Sequence, residues 1–346
     1  MPDEASTVTP TTPIVVKATG GTLGAVTVTN PAKGTKVKGA YSADKTSWTS
    51  SEPLGYGIVY QVAVDAMDGA GGKASRTAKV TTLTPKAQAY PSFIPPPSVT
   101  DVGIGQPLVV KFDQDIADKA AAEKALAVTS IPQQAGGWYW LSKREVHYRP
   151  QVYWQAGTTI KLHASVYGVH LGGDVYGQTD RDLTLKIHDS WLAKADGATK
   201  QMQIFQNGAL VNTMPISIGK DETPTHVGAH VISDKQQTYT MDSCSYGLCP
   251  PDPKAYRSDE HFAERISNDG EFVHENPNSV GAQGSSNVSH GCINLNTANA
   301  QWFFDHFGLG DVVEVTNSGG PPLPVWDTYG DWAVSWPAWQ AGSALK

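Results

Sequence analysis

Ser289-His290-Gly291-Cys292-Ile293-Asn294, with His274 a short way upstream, is the stretch around which the chain is read. Thr297 offers an N-cap, Trp302, Phe303, His306 and Phe307 recur at helical spacing, and Gly308 ends the run, so a helix is predicted just beyond the cysteine. Cys292 then sits in the turn or strand end leading into it. Backbone N–H groups there, and the positive end of a helix dipole if the axis points the right way, favour the thiolate, which is the nucleophilic form of cysteine. Gly291 has no side chain, so its peptide can turn toward a reacting carbonyl, as an oxyanion hole requires. His274 is suited to take the thiol proton and return it to a leaving amine near neutral pH. Asn294 and Ser289 would place polar groups around the same point.

By themselves these residues do not decide the chemistry. A cysteine is more often a small buried apolar residue than a nucleophile, and a Cys–His pair alone does not transfer between families. The whole string, His274 followed by Ser-His-Gly-Cys-Ile-Asn, resembles the signature of the L,D-transpeptidases, cysteine enzymes that cross-link bacterial peptidoglycan. The likeness covers roughly residues 190–316 and is of the mycobacterial and actinobacterial type, with a YkuD-like catalytic domain. It implies Cys292 as nucleophile, His274 as its proton partner, and main-chain groups of His290, Gly291 and Cys292 around the oxyanion. Tyr256, Tyr246 and Met241 fall where such enzymes carry a lid whose tyrosine and methionine face substrate. Glu275 departs from the small residue that many members have after the histidine; the backbone carbonyl there is expected to orient the imidazole still.

The chain has 346 residues, enough for two or three domains, and its 40% hydrophobic content supports ordinary cores. A net charge of −7 without a Lys/Arg run argues against nucleic acid and against an anionic membrane surface as partner. No segment approaches the ~20 apolar residues that a membrane-spanning helix needs. The first residues lack the basic start and apolar run of a signal peptide, and the resemblance implies an export signal or anchor beyond this sequence.

The three cysteines divide unevenly. Cys244 and Cys249 share a short glycine-bearing loop where either a local disulfide or two free thiols fits the spacing, and Cys292 is left over. His226 and His230 lie four apart, but Pro224 and Gly228 indicate a turn and strand, so no zinc site is expected there.

A mainly-β fold is expected. Residues 1–13 are Thr- and Pro-rich and read as flexible. Short alternating runs at residues 14–86, punctuated by Gly, Asn-Pro and Asp-Gly, indicate an immunoglobulin-like β-sandwich with Trp48 in its core or edge. The Pro-rich segment from Tyr90 to Pro97 reads as a stiff connection that cannot join a central sheet. A second immunoglobulin-like module spans 87–189, with strands near Leu108, Glu145, Thr159 and Leu183, and an Ala-rich helical stretch at Lys119–Val128. Its Trp138-Tyr139-Trp140 triplet fits packing better than a carbohydrate platform.

The catalytic region, 190–316, opens with a hairpin around Asn207-Gly208 and is mostly β with one prominent helix. The loop from Met241 to Tyr256 is long enough to act as a lid. Residues 317–346 carry Trp326, Trp332, Trp336 and Trp339, too much aromatic area to stay loose, so this extension is expected to lie back on the catalytic region and the second β-module.

The resemblance implies a substrate, a peptidoglycan stem tetrapeptide as donor and a diamino-acid side chain as acceptor, and a product, a 3→3 cross-link formed through a thioester with release of D-alanine. Carbapenem-type β-lactams are implied as covalent inhibitors, and no metal or organic cofactor is required. A monomer on the extracytoplasmic side of the membrane is expected. An L,D-carboxypeptidase of the same fold is the near alternative, and a non-enzymatic wall-binding protein the distant one.

Overall fold

The computed structural model describes residues 4–246, 249–252, 255 and 257–345, with no side-chain description for 4–6, 245 and 246. The chain is mainly β and divides into two compact units, Met1–Tyr90 with Ile116–Ala125 and Ser165–Asp180, and Pro91–Asp115 with Leu126–Ala164 and Arg181–Lys346.

In the first unit a five-stranded sheet runs in the order Glu4–Val8, Lys73–Thr82, Val59–Asp68, Gly21–Asn30, Thr35–Lys36, beside a three-stranded sheet of Val15–Lys17, Ser47–Ser50 and Gly39–Tyr41. Period-two alternation places Val16, Val28, Trp48, Tyr60 and Val62 in one core, each burial stabilising by about 1.5–3 kcal/mol. The start of the chain differs from its expected flexibility. Glu4–Val8 pairs parallel with Lys73–Thr82, because that edge offers backbone partners that composition does not reveal. The Ala-rich stretch is helical only over Lys119–Lys124, capped by Asp118, and Leu126–Ile131 leaves it as a strand.

The second unit contains two four-stranded sheets before its catalytic part. One runs Pro91–Ile94, Leu108–Phe112, Glu145–Pro150, Gly136–Trp140; the other runs Asp101–Val102, Arg181–Ile187, Thr159–Ala164, Leu126–Ile131. The Pro-rich connection thus contributes an edge strand, the one sheet position where a missing N–H is tolerated. Trp138 and Trp140 are buried, and Tyr139 stacks on Trp339 at 4.8 Å, so the triplet is packing.

The tryptophan-rich extension lies on the same unit. Trp332 Nε1 donates to Gly105 O and Trp339 Nε1 to Gly137 O, both at 2.8 Å, while Arg149 sits over the rings of Trp332 and Trp339 at 4.7 and 4.4 Å. Trp326 alone of the four stays largely exposed, at 66%.

The catalytic part has two sheets. A five-stranded sheet runs Ala209–Pro215, Gln201–Gln206, Trp191–Asp196, Val312–Thr316, Gly228–Val231. A four-stranded sheet runs Asp234–Asp242, Arg257–Arg265, Phe272–Glu275, Ile293–Leu295. Asn207 and Gly208 both have positive φ, 49° and 83°, which sets the expected tight hairpin. The helix Thr297–His306 gives Ala300 and Phe303, with Phe307 beyond its end, to a core shared with Ile204, Ile218, Val273, Ile293 and Val313.

Candidate active site

The last strand of the four-stranded sheet, Ile293–Leu295, lies parallel to Phe272–Glu275, with Ile293 opposite Val273 and Asn294 opposite His274. This pairing brings Cys292 and His274 together despite their separation in sequence. Cys292 is partly exposed and is the free cysteine among the described residues. It lies immediately before the strand Ile293–Leu295, which leads on to the helix Thr297–His306. The helix begins after that strand, and its N-cap is Asn296, which accepts from Asn299 N at 2.9 Å, rather than Thr297, whose hydroxyl instead donates to Glu275 Oε1.

His274 is 3% exposed, and its Nδ1 donates to Glu275 O at 2.7 Å. A carbonyl can only accept, so Nδ1 carries the proton and Nε2 is the nitrogen left for the thiol. The side-chain substitution at Glu275 therefore leaves the orienting carbonyl in place. Burial alone would lower the basicity of His274, but hydrogen bonds and charge from Cys292 and Glu260 outweigh it and raise the pKa to about 10.

Glu260 was not apparent from the sequence. Its Oε2 lies 3.2 Å from His274 Nδ1, and Ser258 Oγ donates to its Oε1 at 2.6 Å. Burial pushes its carboxyl up, but the bonds from His274 and Ser258 win and hold it below the usual range. It stands opposite Tyr239 where Asp234–Asp242 pairs with Arg257–Arg265, a placement with no local motif.

The turn before the cysteine is held from several sides. Gly291 has φ of +130°, where only glycine is unstrained, and a Cβ there would meet Glu271 Cγ at 3.3 Å. Ser289 Oγ donates to Cys292 O at 2.6 Å and accepts from Gly291 N at 3.1 Å, while Thr225 Oγ1 donates to Gly291 O at 2.7 Å. Two expectations change accordingly. The Gly291 N–H is committed inside the turn rather than open to an oxyanion, and the buried Ser289 hydroxyl braces the turn rather than facing substrate, because one hydroxyl closes both bonds locally. Among the described residues no hydrogen bond holds the Cys292 N–H.

Asn294 is 2% exposed, its backbone is paired with Ser217, and its Oδ1 is buried without a hydrogen-bond partner among the described residues. His290 is exposed at the surface; partial desolvation of its ring, and then the charge of Lys220 Nζ at 3.5 Å from its Nε2, depress its basicity. Met241 is buried in a small apolar cluster with Ala263 and Phe272, against which Cys292 packs. Tyr246 ends a short 3-10 turn, Ser243–Tyr246, but its side chain and all of Tyr256 lie outside the described residues. Cys244 and Cys249 form a disulfide, which settles the open choice between a bridge and two thiols.

His230 lies in the strand Gly228–Val231 and His226 in the extended segment just before it, not on a helix. Both meet Glu271, which was also missed: its Oε1 accepts from His226 N and Nδ1 at 2.8 and 3.0 Å, and its Oε2 faces His230 Nε2 at 3.1 Å.

A free, partly exposed thiol, an imidazole with its tautomer set by a carbonyl, and a glycine turn define a cysteine acyl-transfer class of site. Comparison with known proteins makes the family specific. Residues 191–315 match the L,D-transpeptidase catalytic domain, and residues 5–170 match a bacterial Ig domain. L,D-transpeptidase 2 of Mycobacterium tuberculosis is 42% identical over 342 residues, covering 99% of this chain and 83% of that protein. L,D-transpeptidase 5 of the same organism is 39% identical, covering 99% and 76%. A solved L,D-transpeptidase in complex with imipenem superposes with a TM-score of 0.58 at 30% identity, covering 67% of this chain and 100% of that one. The chain belongs to the L,D-transpeptidase family. It is an enzyme, an acyltransferase of the cysteine-nucleophile type.

Proposed function

We propose that this enzyme forms 3→3 peptidoglycan cross-links, with Cys292 as nucleophile. The observation that supports this reading most is His274, buried, with Nδ1 fixed by Glu275 O and its other nitrogen available to the sulfur. The thiolate attacks the carbonyl between the third stem residue and the terminal D-alanine. A C–S bond forms, the oxygen takes up negative charge beside the Cys292 N–H, and collapse breaks the C–N bond. His274 delivers its Nε2 proton to the departing D-alanine amine, leaving a thioester. The side-chain amine of a second stem then attacks; His274 takes its proton, the C–S bond breaks, and the thiolate is restored. Thiolate, imidazole and amide donor cover nucleophile, acid–base and charge stabilisation, so the sequence of steps balances without a cofactor.

In this reading Met241 and the lid residues Tyr246 and Tyr256 border the acyl chain, Asn294 is buried in the strand that follows the thiol and supports it from within, and His290 contributes main chain beside the thiol. The relatives solved with imipenem and with a faropenem-derived adduct support acylation of Cys292 by β-lactams of the carbapenem type. Because the substrate lies outside the cytoplasm and Cys244 is bridged to Cys249, we place the enzyme on the extracytoplasmic side, where disulfides persist. Incubation with a disaccharide tetrapeptide tests the reading. Cross-linked dimer with free D-alanine is expected; accumulation of tripeptide alone would assign an L,D-carboxypeptidase instead.

A further inference from the structure

We propose that His226, Asp269 and Glu271 form a binding site for a divalent transition cation of the zinc class, behind the cysteine turn and separate from Cys292. His226 Nδ1 lies 3.0 Å from Glu271 Oε1 and 3.6 Å from Asp269 Oδ2, and the three atoms all fall within 4.8 Å of one another. Tetrahedral zinc with bonds of about 2.0–2.2 Å has ligand–ligand edges of about 3.3–3.6 Å, so the two separations from His226 already lie close to the edges of such a site. His/carboxylate donors are also the set that zinc accepts.

Each ligand is oriented from behind. His230 Nε2 holds Glu271 Oε2 at 3.1 Å, the His226 amide holds Oε1, and Ser267 Oγ donates to Asp269 Oδ1, which leaves Oδ2 toward His226. Outer-shell bonds of this kind fix ligands before a metal arrives. An independent observation points the same way. Asp327 is fully buried, its Oδ1 accepts from Asn268 N at 2.5 Å, and its Oδ2 has no hydrogen-bond partner among the described residues. It lies close enough to act electrostatically on both His226 and Asp269, which sets a third carboxyl group beside the ligands. Asp269, 41% exposed, leaves the cluster open to entry from solvent, whereas His230 is fully buried and serves as a brace.

The site is coupled to the turn through chain neighbours. Thr225, next to His226, holds Gly291 O, and Gly270, next to Glu271, receives Cys292 Sγ at 3.5 Å. Occupancy would therefore stiffen both supports of the turn and raise the melting temperature.

The test uses the full chain carrying Cys292→Ser, which removes the thiol as a competing ligand, stripped with EDTA and titrated with ZnCl2 by calorimetry. About one equivalent is expected to bind at micromolar or tighter Kd, with a rise in Tm. His226→Asn and Asp269→Asn in that background should each weaken binding by at least about tenfold. Asp269 is partly exposed, so its variant keeps the test usable if His226→Asn fails to fold. Co²⁺ in place of zinc should give the visible bands of a tetrahedral N/O site. Absence of binding to Cys292→Ser, or an unchanged Kd in the folded ligand variants, overturns the proposal, as does a thiolate charge-transfer band accounting for all the Co²⁺ bound by the wild type.

Discussion

Two histidine–carboxylate groups flank the Gly291–Cys292 turn and use similar contacts differently. On one side Glu260 and the Glu275 carbonyl share the Nδ1 edge of His274, so the imidazole keeps its other edge for sulfur. On the other side one carboxylate, Glu271, gathers both His226 and His230, and neither imidazole meets the thiol. The contrast lies in which ring nitrogen is left over. His274 keeps Nε2 for the sulfur, whereas His230 has both ring nitrogens engaged, Nδ1 with Gly228 O and Nε2 with Glu271 Oε2, and so serves as a brace.

Substitutions should separate the two groups. The largest effect is expected from His274→Gln, which should cut turnover by about 10²–10⁴ with little change in fold, read as kcat/KM on a tetrapeptide donor. A loss below tenfold would place the proton chemistry elsewhere. Next comes Gly291→Ala. With φ of +130° and the new Cβ 3.3 Å from Glu271 Cγ, it should cost about 1–3 kcal/mol in calorimetric stability and displace the cysteine, lowering activity as well. Full stability in this variant would mean that the turn relaxes freely.

Glu260→Gln should act on pH rather than on fold. Removing a negative charge beside His274 favours the neutral ring, so the alkaline limb of the kcat/KM profile should move to lower pH than in the wild type. An unmoved limb would show that Glu260 does not act on the imidazole. The same titration has a stability consequence. A folded pKa of about 10, above an unfolded value of ~6.5, contributes stability that is complete below ~6.5 and disappears as pH rises through about 10. The smallest effect is expected at Thr225→Val, where loss of the bond to Gly291 O should cost about 1 kcal/mol and leave the alkaline limb in place.

Local chemistry explains what the sequence could show. The Ser289–Asn294 string, the Asn207-Gly208 turn and the alternating strands depend on neighbours along the chain, and the structure places the hairpin where its turn residues required it. Glu260 and Glu271 carry no such signal, since each becomes meaningful only when the fold sets it against a histidine distant along the chain. The edge strand at Pro91–Ile94 and the paired Glu4–Val8 were hidden for a related reason: an edge takes whatever backbone reaches it. At the helix start two good capping residues stand side by side, and Thr297 was diverted by Glu275, a contact from another strand.

Intact-mass spectrometry of acid-quenched enzyme after brief exposure to a disaccharide tetrapeptide, comparing wild type with Cys292→Ala, tests the central claim most directly. The wild type should gain the mass of the donor less D-alanine, and the alanine variant should gain nothing. An equal adduct on both would show that the acyl group is carried by some atom other than Cys292 Sγ.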